Sequence, residues 1–160
     1  MKKNLCCLLL LCVLFCMAGC HADARFGFAE LNARIRAADK SFCFREDTVF
    51  FSDDVYYAYY SVQDKNDLLL TMREDADRKL DRICLTLSAA SGDASDQFTS
   101  FASLLADLFI PDCDLTALYA ATGLDGAQLF RPFTAKYTQG RYTAVLFGSS
   151  YGVCFFIQRI

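Results

Sequence analysis

The side chains with the widest chemical range in this sequence are Cys43, Cys84, Cys113 and Cys154, separated by 41, 29 and 41 residues. No two of them form a C-x-x-C pair, so the spacing encodes neither a zinc ribbon nor a thioredoxin-type redox motif. In an oxidising compartment four cysteines permit two disulfides, in three connectivities. The other reading is buried free thiols: Cys84 sits in the apolar run Ile83–Leu87 and Cys154 in Val153–Ile157. The sequence leaves both open. Histidine is more decisive, because His21 is the only one. The residues after it therefore lack an imidazole for general acid–base work, for Ser-His-Asp or Cys-His nucleophiles, or for the common zinc sites. Gly148-Ser149-Ser150-Tyr151-Gly152 matches the hydrolase pattern G-x-S-x-G. That chemistry needs a strained strand-to-helix turn and a later histidine. Here strand-like runs flank the segment and only eight residues follow it, so the spacing predicts a hairpin turn.

Carboxylates are numerous but scattered. Glu46/Asp47, Asp53/Asp54 and Asp75/Asp77/Asp81 fall in or beside expected turns. A calcium loop needs alternating acids, a central glycine and a distal glutamate. The stretch from Asp75 to Asp81 lacks the last two and contains Arg78 and Lys79. Paired acids for glycoside hydrolysis depend on a tertiary separation of about 5–9 Å, which spacing along the chain does not report. The run Val55-Tyr56-Tyr57-Ala58-Tyr59-Tyr60 is the strongest binding signal. Strand alternation sends Tyr57 and Tyr59 to one face, Tyr56 and Tyr60 to the other. Exposed tyrosines give a large contact area with a polar tip, as interfaces use; a strand covered on both faces would make the same residues core.

The elements that position these groups follow a clear division of the 160 residues. Residues 1–19 hold Lys2, Lys3, no acids and the apolar stretch Leu5 to Met17. This is the layout of a secretory signal, too short for a comfortable spanning helix of roughly 20 apolar residues. Removing Lys2 and Lys3 leaves 14 Lys and Arg against 19 Asp and Glu. Such an acidic body argues against a nucleic-acid partner. Its apolar content argues against a disordered chain. Five of the nine cysteines lie in the first 20 residues, so the total overstates the disulfide capacity of the body.

Met17-Ala18-Gly19-Cys20 resembles the lipobox of bacterial lipoproteins, with Met where Leu is usual. The resemblance implies cleavage before Cys20, covalent diacylglycerol and an acyl chain (palmitate-type) on Cys20, and attachment to the cell membrane facing outside the cytoplasm. It implies no other cofactor. Two or more acyl chains give stable anchoring, at about 0.8 kcal/mol per buried CH₂. The A-x-A pattern Ala22-Asp23-Ala24 is the competing cleavage signal.

Behind the signal peptide (1–19) and a lipidated tether (20–24), residues 25–160 read as one α+β domain. Phe28, Leu31, Ile35 and Ala38 give one stripe of a helix over 25–39. Strand runs follow at Ser41–Glu46, Thr48–Phe51, Val55–Val62, Asp67–Arg73 and Lys79–Leu87, with turn chemistry between them that includes Gln63-Asp64-Lys65-Asn66. Ser88–Ser95 reads as a linker. A helix from Asp96 to Phe109 is capped by Ser95 or Asp96 and stopped by Pro111. A short helix runs from Leu115 to Thr122 between Asp114 and Gly123. Strands return at Leu129–Thr138, Arg141–Phe147 and Tyr151–Ile160. The connections are too short for parallel crossovers, so the expected fold is an antiparallel sheet of meander hairpins with helices on one face. An offset of 70 aligns Phe28 with Phe98, Leu31 with Phe101, Cys43 with Cys113 and Cys84 with Cys154. Two similar helix-plus-sheet halves, 25–88 and 95–160, are therefore an alternative organisation. The layout resembles, at the level of fold alone, the modules of bacterial β-lactamase-inhibitor proteins and outer-membrane assembly lipoproteins.

The expected function is a lipid-anchored extracytoplasmic binding protein or envelope scaffold without catalytic activity. Its expected partners are the membrane, through the anchor, and an envelope protein. A small cell-envelope hydrolase using carboxylates or Ser/Lys groups, and a carrier of an apolar ligand, are the alternatives.

Overall fold

A computed structural model describes residues 26–40, 44–62, 65–88, 94–124 and 129–160. The expected signal peptide, Cys20, His21, Cys43 and most of the linker lie outside the described residues. The described residues form three helices and seven strands: α1 (Phe28–Ala38), β1 (Phe44–Ser52), β2 (Val55–Val62), β3 (Lys65–Glu74), β4 (Leu80–Ser88), α2 (Ala94–Phe109), α3 (Leu115–Thr122), β5 (Phe133–Gln139), β6 (Tyr142–Gly148) and β7 (Gly152–Arg159). The strands form one antiparallel sheet in the order β1-β2-β3-β4-β7-β6-β5. The fold is α+β, with the helices packed against this sheet.

The core follows from strand alternation. Ala58, Tyr60, Leu68, Leu70, Met72, Ile83, Leu85 and Leu87 are buried, as are Ala144, Leu146, Val153, Phe155 and Ile157. They form one cluster with Leu31 and Ile35 of α1, Phe98, Phe101 and Leu105 of α2, and Leu118 of α3. Side chains of the opposite parity stay half-exposed, including Tyr57, Tyr59, Thr71, Arg73, Arg82, Cys84, Cys154 and Phe156. One face of the sheet is thus packed under helices and the other is open among the described residues, the usual antiparallel arrangement.

Two meanders meet at the centre, where β4 pairs with β7 and Leu85 lies directly opposite Phe155. These two residues are 70 apart, the offset at which the sequence features align.

Several turns and caps have readable causes. Asp53 and Asp54, at φ 51° and 60°, make the two-residue β1–β2 turn. Asp114 caps α3 by accepting from the Ala117 N–H at 3.0 Å. Gly123 ends α3 in the left-handed region at φ 67°. Gln139 holds the α2–α3 connection by donating to the carbonyls of Pro111 and Asp112 and accepting from the Asp114 N–H.

Five expectations are corrected. The runs 41–46 and 48–51 do not form two strands: from Phe44 to Ser52 there is one strand, with a register shift between Glu46 and Thr48. A bulge lets a single strand keep its partner while its pattern breaks. Lys65 and Asn66 belong to β3 rather than a turn. Ser95 and Asp96 lie inside α2, which starts at Ala94, so neither caps it. β5 starts at Phe133, not Leu129; Pro132 precedes it and Leu129 is buried ahead of it. Ala38, the last member of the α1 stripe, is exposed because α1 ends there and none of the described residues covers its final turn.

Candidate functional site

The tyrosine run divides between the two faces. Tyr60 is buried in the core. Tyr56 is half-buried on the helix side, where the Arg78 guanidinium lies 3.3 Å from its ring centroid and Phe51 packs at 4.4 Å. Tyr57 and Tyr59 are half-exposed on the open face. Phe50 of the edge strand β1 stacks on both, at centroid distances of 4.8 and 5.9 Å. The three rings form a continuous aromatic shelf.

Beside this shelf runs a groove of about 360 Å³. Tyr57 and Tyr59 wall it from β2, Thr71 and Arg73 from β3, Arg82 and Cys84 from β4, and Phe156 and Gln158 from β7. The volume lies at the lower end of small-molecule sites. Arg73 makes a two-point contact with Asp81, Nε to Oδ1 at 2.8 Å and Nη2 to Oδ2 at 2.5 Å. That hydrogen bonding raises the Arg73 pKa further, so its charge is permanent. Arg82 Nη2 donates to Gln158 Oε1 at 2.8 Å, whereas its Nε is buried with no hydrogen-bond partner among the described residues. One arginine is thus neutralised by Asp81 and the other is held by a neutral amide. The groove combines ring faces with a net positive charge, a pairing suited to an apolar or planar group carrying a carboxylate or other anion.

On the same face Cys84 Sγ and Cys154 Sγ lie 3.0 Å apart, and both are free thiols. Their shared hydrogen bond draws the two acidities apart. Cys154 is lowered to about 7, and Cys84 is raised by the same contact and by burial. Cys113 is also a free thiol, pushed up to about 11 by burial and by Asp107 and Asp114.

The other candidates have structural roles. Gly148-Ser149-Ser150-Tyr151-Gly152 joins β6 to β7 as a hairpin, in line with the sequence reading. Ser149 Oγ donates to the Gly152 carbonyl and accepts from the Tyr151 and Gly152 N–H groups. Asp75 Oδ1 accepts from the backbone N–H groups of Asp77 and Lys79, closing the β3–β4 turn on itself. Asp81 is committed to Arg73. No three His, Cys, Asp or Glu side chains among the described residues are placed to share a metal ion.

Sequence reasoning reached Tyr57 and Tyr59 through alternation but missed Arg73, Arg82, Phe156 and Gln158. The signal available was parity: Arg82 and Cys84 share a face in any strand containing both. No helix among the described residues is long and apolar enough to cross a membrane. The chain matches no protein-family model, no curated protein and no solved structure.

Proposed function

We propose that the chain is a lipid-anchored protein of the cell envelope, facing outside the cytoplasm, that binds an envelope partner or ligand through the open face of its sheet and performs no catalysis. The observation that carries this reading is the aromatic shelf of Phe50, Tyr57 and Tyr59 beside the Arg82 groove, on the face the helices leave uncovered. Half-exposed aromatic side chains beside an arginine are the composition of binding hot spots. The polar side chains in the lining, Arg73, Arg82 and Gln158, favour a surface binder over a carrier of a purely apolar ligand. The described acids engaged in turn and ion-pair geometry support a hydrolase less well.

Two measurements test the two parts. Cys20→Ser is expected to abolish labelling by a radioactive or clickable fatty acid and to leave precursor or released protein. Unchanged labelling and membrane retention would remove the anchor. For the surface, Tyr57→Ser combined with Tyr59→Ser is expected to lower cross-linking to envelope partners by about tenfold or more. Lys136→Ser, on the exposed side of the far edge strand β5, is the control and is expected to leave it unchanged. Circular dichroism checks folding. A folded double variant that retains its partners would sink the binding face.

A further inference from the structure

The geometry points to a reactive dithiol site at Cys84 and Cys154, which closes to a cross-strand disulfide by exchange with a small-molecule or protein disulfide. Their sulfurs, at 3.0 Å, stand only about 1 Å beyond the bonded distance. Both lie on the open face and are partly exposed, and Cys84 lines the groove. The register explains the approach. Leu85 and Phe155 are directly opposed, so Cys84 and Cys154 are diagonal neighbours on the same face of β4 and β7. A diagonal bridge demands more adjustment than one between directly opposed residues, which favours a bond that reduces again readily.

The exchange runs in two steps. Cys154 thiolate attacks one sulfur of the donor R–S–S–R, forming a mixed disulfide and releasing R–S⁻. The Cys84 thiol then gives up its proton to solvent and attacks Cys154 Sγ, expelling the second R–S⁻. Two cysteines are oxidised and the donor is reduced to two thiols. Cys154 acts first because the Cys84 contact favours its thiolate at neutral pH. Cys113 provides an internal comparison, since burial and two acids keep it protonated. This site does not depend on which ligand the groove holds, because bond formation is read chemically.

The purified full chain is incubated with oxidised glutathione, quenched with acid, digested without reduction and analysed by mass spectrometry. The expected product is a linked pair of peptides containing Cys84 and Cys154, reversed by a monothiol. Its formation rate is expected to rise with pH through about 7 and then level. Cys84→Ser should stop at a glutathione adduct on Cys154. Cys154→Ser should slow modification of Cys84 by at least about tenfold relative to Cys154 in the wild-type chain. Separate adducts on the two cysteines with no linked peptide, or preferred modification of Cys113, would overturn the site. A linked peptide whose rate climbs only near pH 9 would overturn the role of Cys154. Circular dichroism of the serine variants separates lost reactivity from lost fold.

Discussion

Replacing Glu74 with alanine is expected to cost about 2–4 kcal/mol of stability, read as a shift of the chemical or thermal unfolding midpoint. Glu74 is 2% exposed at the end of β3. Its Oε1 accepts the Phe28 N–H at 2.7 Å, and its Oε2 accepts from Arg78 Nε at 2.5 Å. The N-cap position of α1 is Gly27, whose residue type supplies no capping side chain. Glu74 therefore does the capping from 46 residues away, placing a carboxylate at the positive end of the helix. Glycine at 27 makes this approach feasible: a Cβ there would stand 2.8 Å from Glu74 Oε1 and from the Arg78 carbonyl. Alanine at 74 leaves a part-buried donor without its acceptor and a hole where the buried side chain was. The pair with Arg78 adds little, because that side chain is 53% exposed. Glu74→Gln keeps an acceptor for the Phe28 N–H and should recover roughly half of the loss. Glu30→Gln, which breaks an exposed i,i+4 pair with Arg34, should change stability by less than about 0.5 kcal/mol. A Glu74→Ala protein as stable as the Glu30→Gln control would show that the α1 terminus is satisfied in some other way.

The same contact shows where reading the sequence stops. Local rules located α3, because Asp114 and Gly123 act within four residues of the groups they satisfy. They located the faces of β2, since parity alone separates Tyr57 and Tyr59 from Ala58 and Tyr60. They did not locate the cap of α1, because its acceptor comes from another strand. They split β1 in two, because a bulge at 46–48 interrupts the period that defines a strand. The groove is half legible for the same reason: Tyr57 and Tyr59 announce themselves by type and alternation, but Arg82 and Phe156 join them through the β3–β4 and β4–β7 pairings, the second of which sets the last strand beside one about 70 residues earlier. The offset of 70 between Cys84 and Cys154 is visible in the sequence. Only the register, with Leu85 opposite Phe155, turns that offset into a contact.

The G-x-S-x-G segment gives the second large effect, and it separates a structural account of the motif from a catalytic one. Gly148→Ala is expected to destabilise the protein by about 2–3 kcal/mol, as overpacking of a tight site does. A Cβ at 148 would stand 2.2 Å from Phe133 Cε1 and 2.6 Å from the Arg131 carbonyl. The Phe133 ring is a half-buried side chain packed on the core, and the carbonyl is backbone at the entry to β5. The clash therefore falls on the β5–β6 pairing, where Phe133 is opposite Gly148. Truncating Phe133 in the Gly148→Ala background should relieve only part of the cost. Ser149→Ala should lose about 1 kcal/mol, since its hydroxyl bonds three times within the turn. Ser150 occupies the nucleophile position of the pattern and is exposed in the hairpin. Ser150→Ala is expected to stay within about 0.5 kcal/mol of the wild-type chain. A serine hydrolase would give the opposite order: Ser150 would be indispensable to activity, and reactive toward a fluorophosphonate probe. Labelling of Ser150 by such a probe would contradict the hairpin account. Unfolding midpoints in the order Gly148→Ala lowest, then Ser149→Ala, with Ser150→Ala unchanged, would show that the pattern arises from how β6 turns into β7 beneath Phe133.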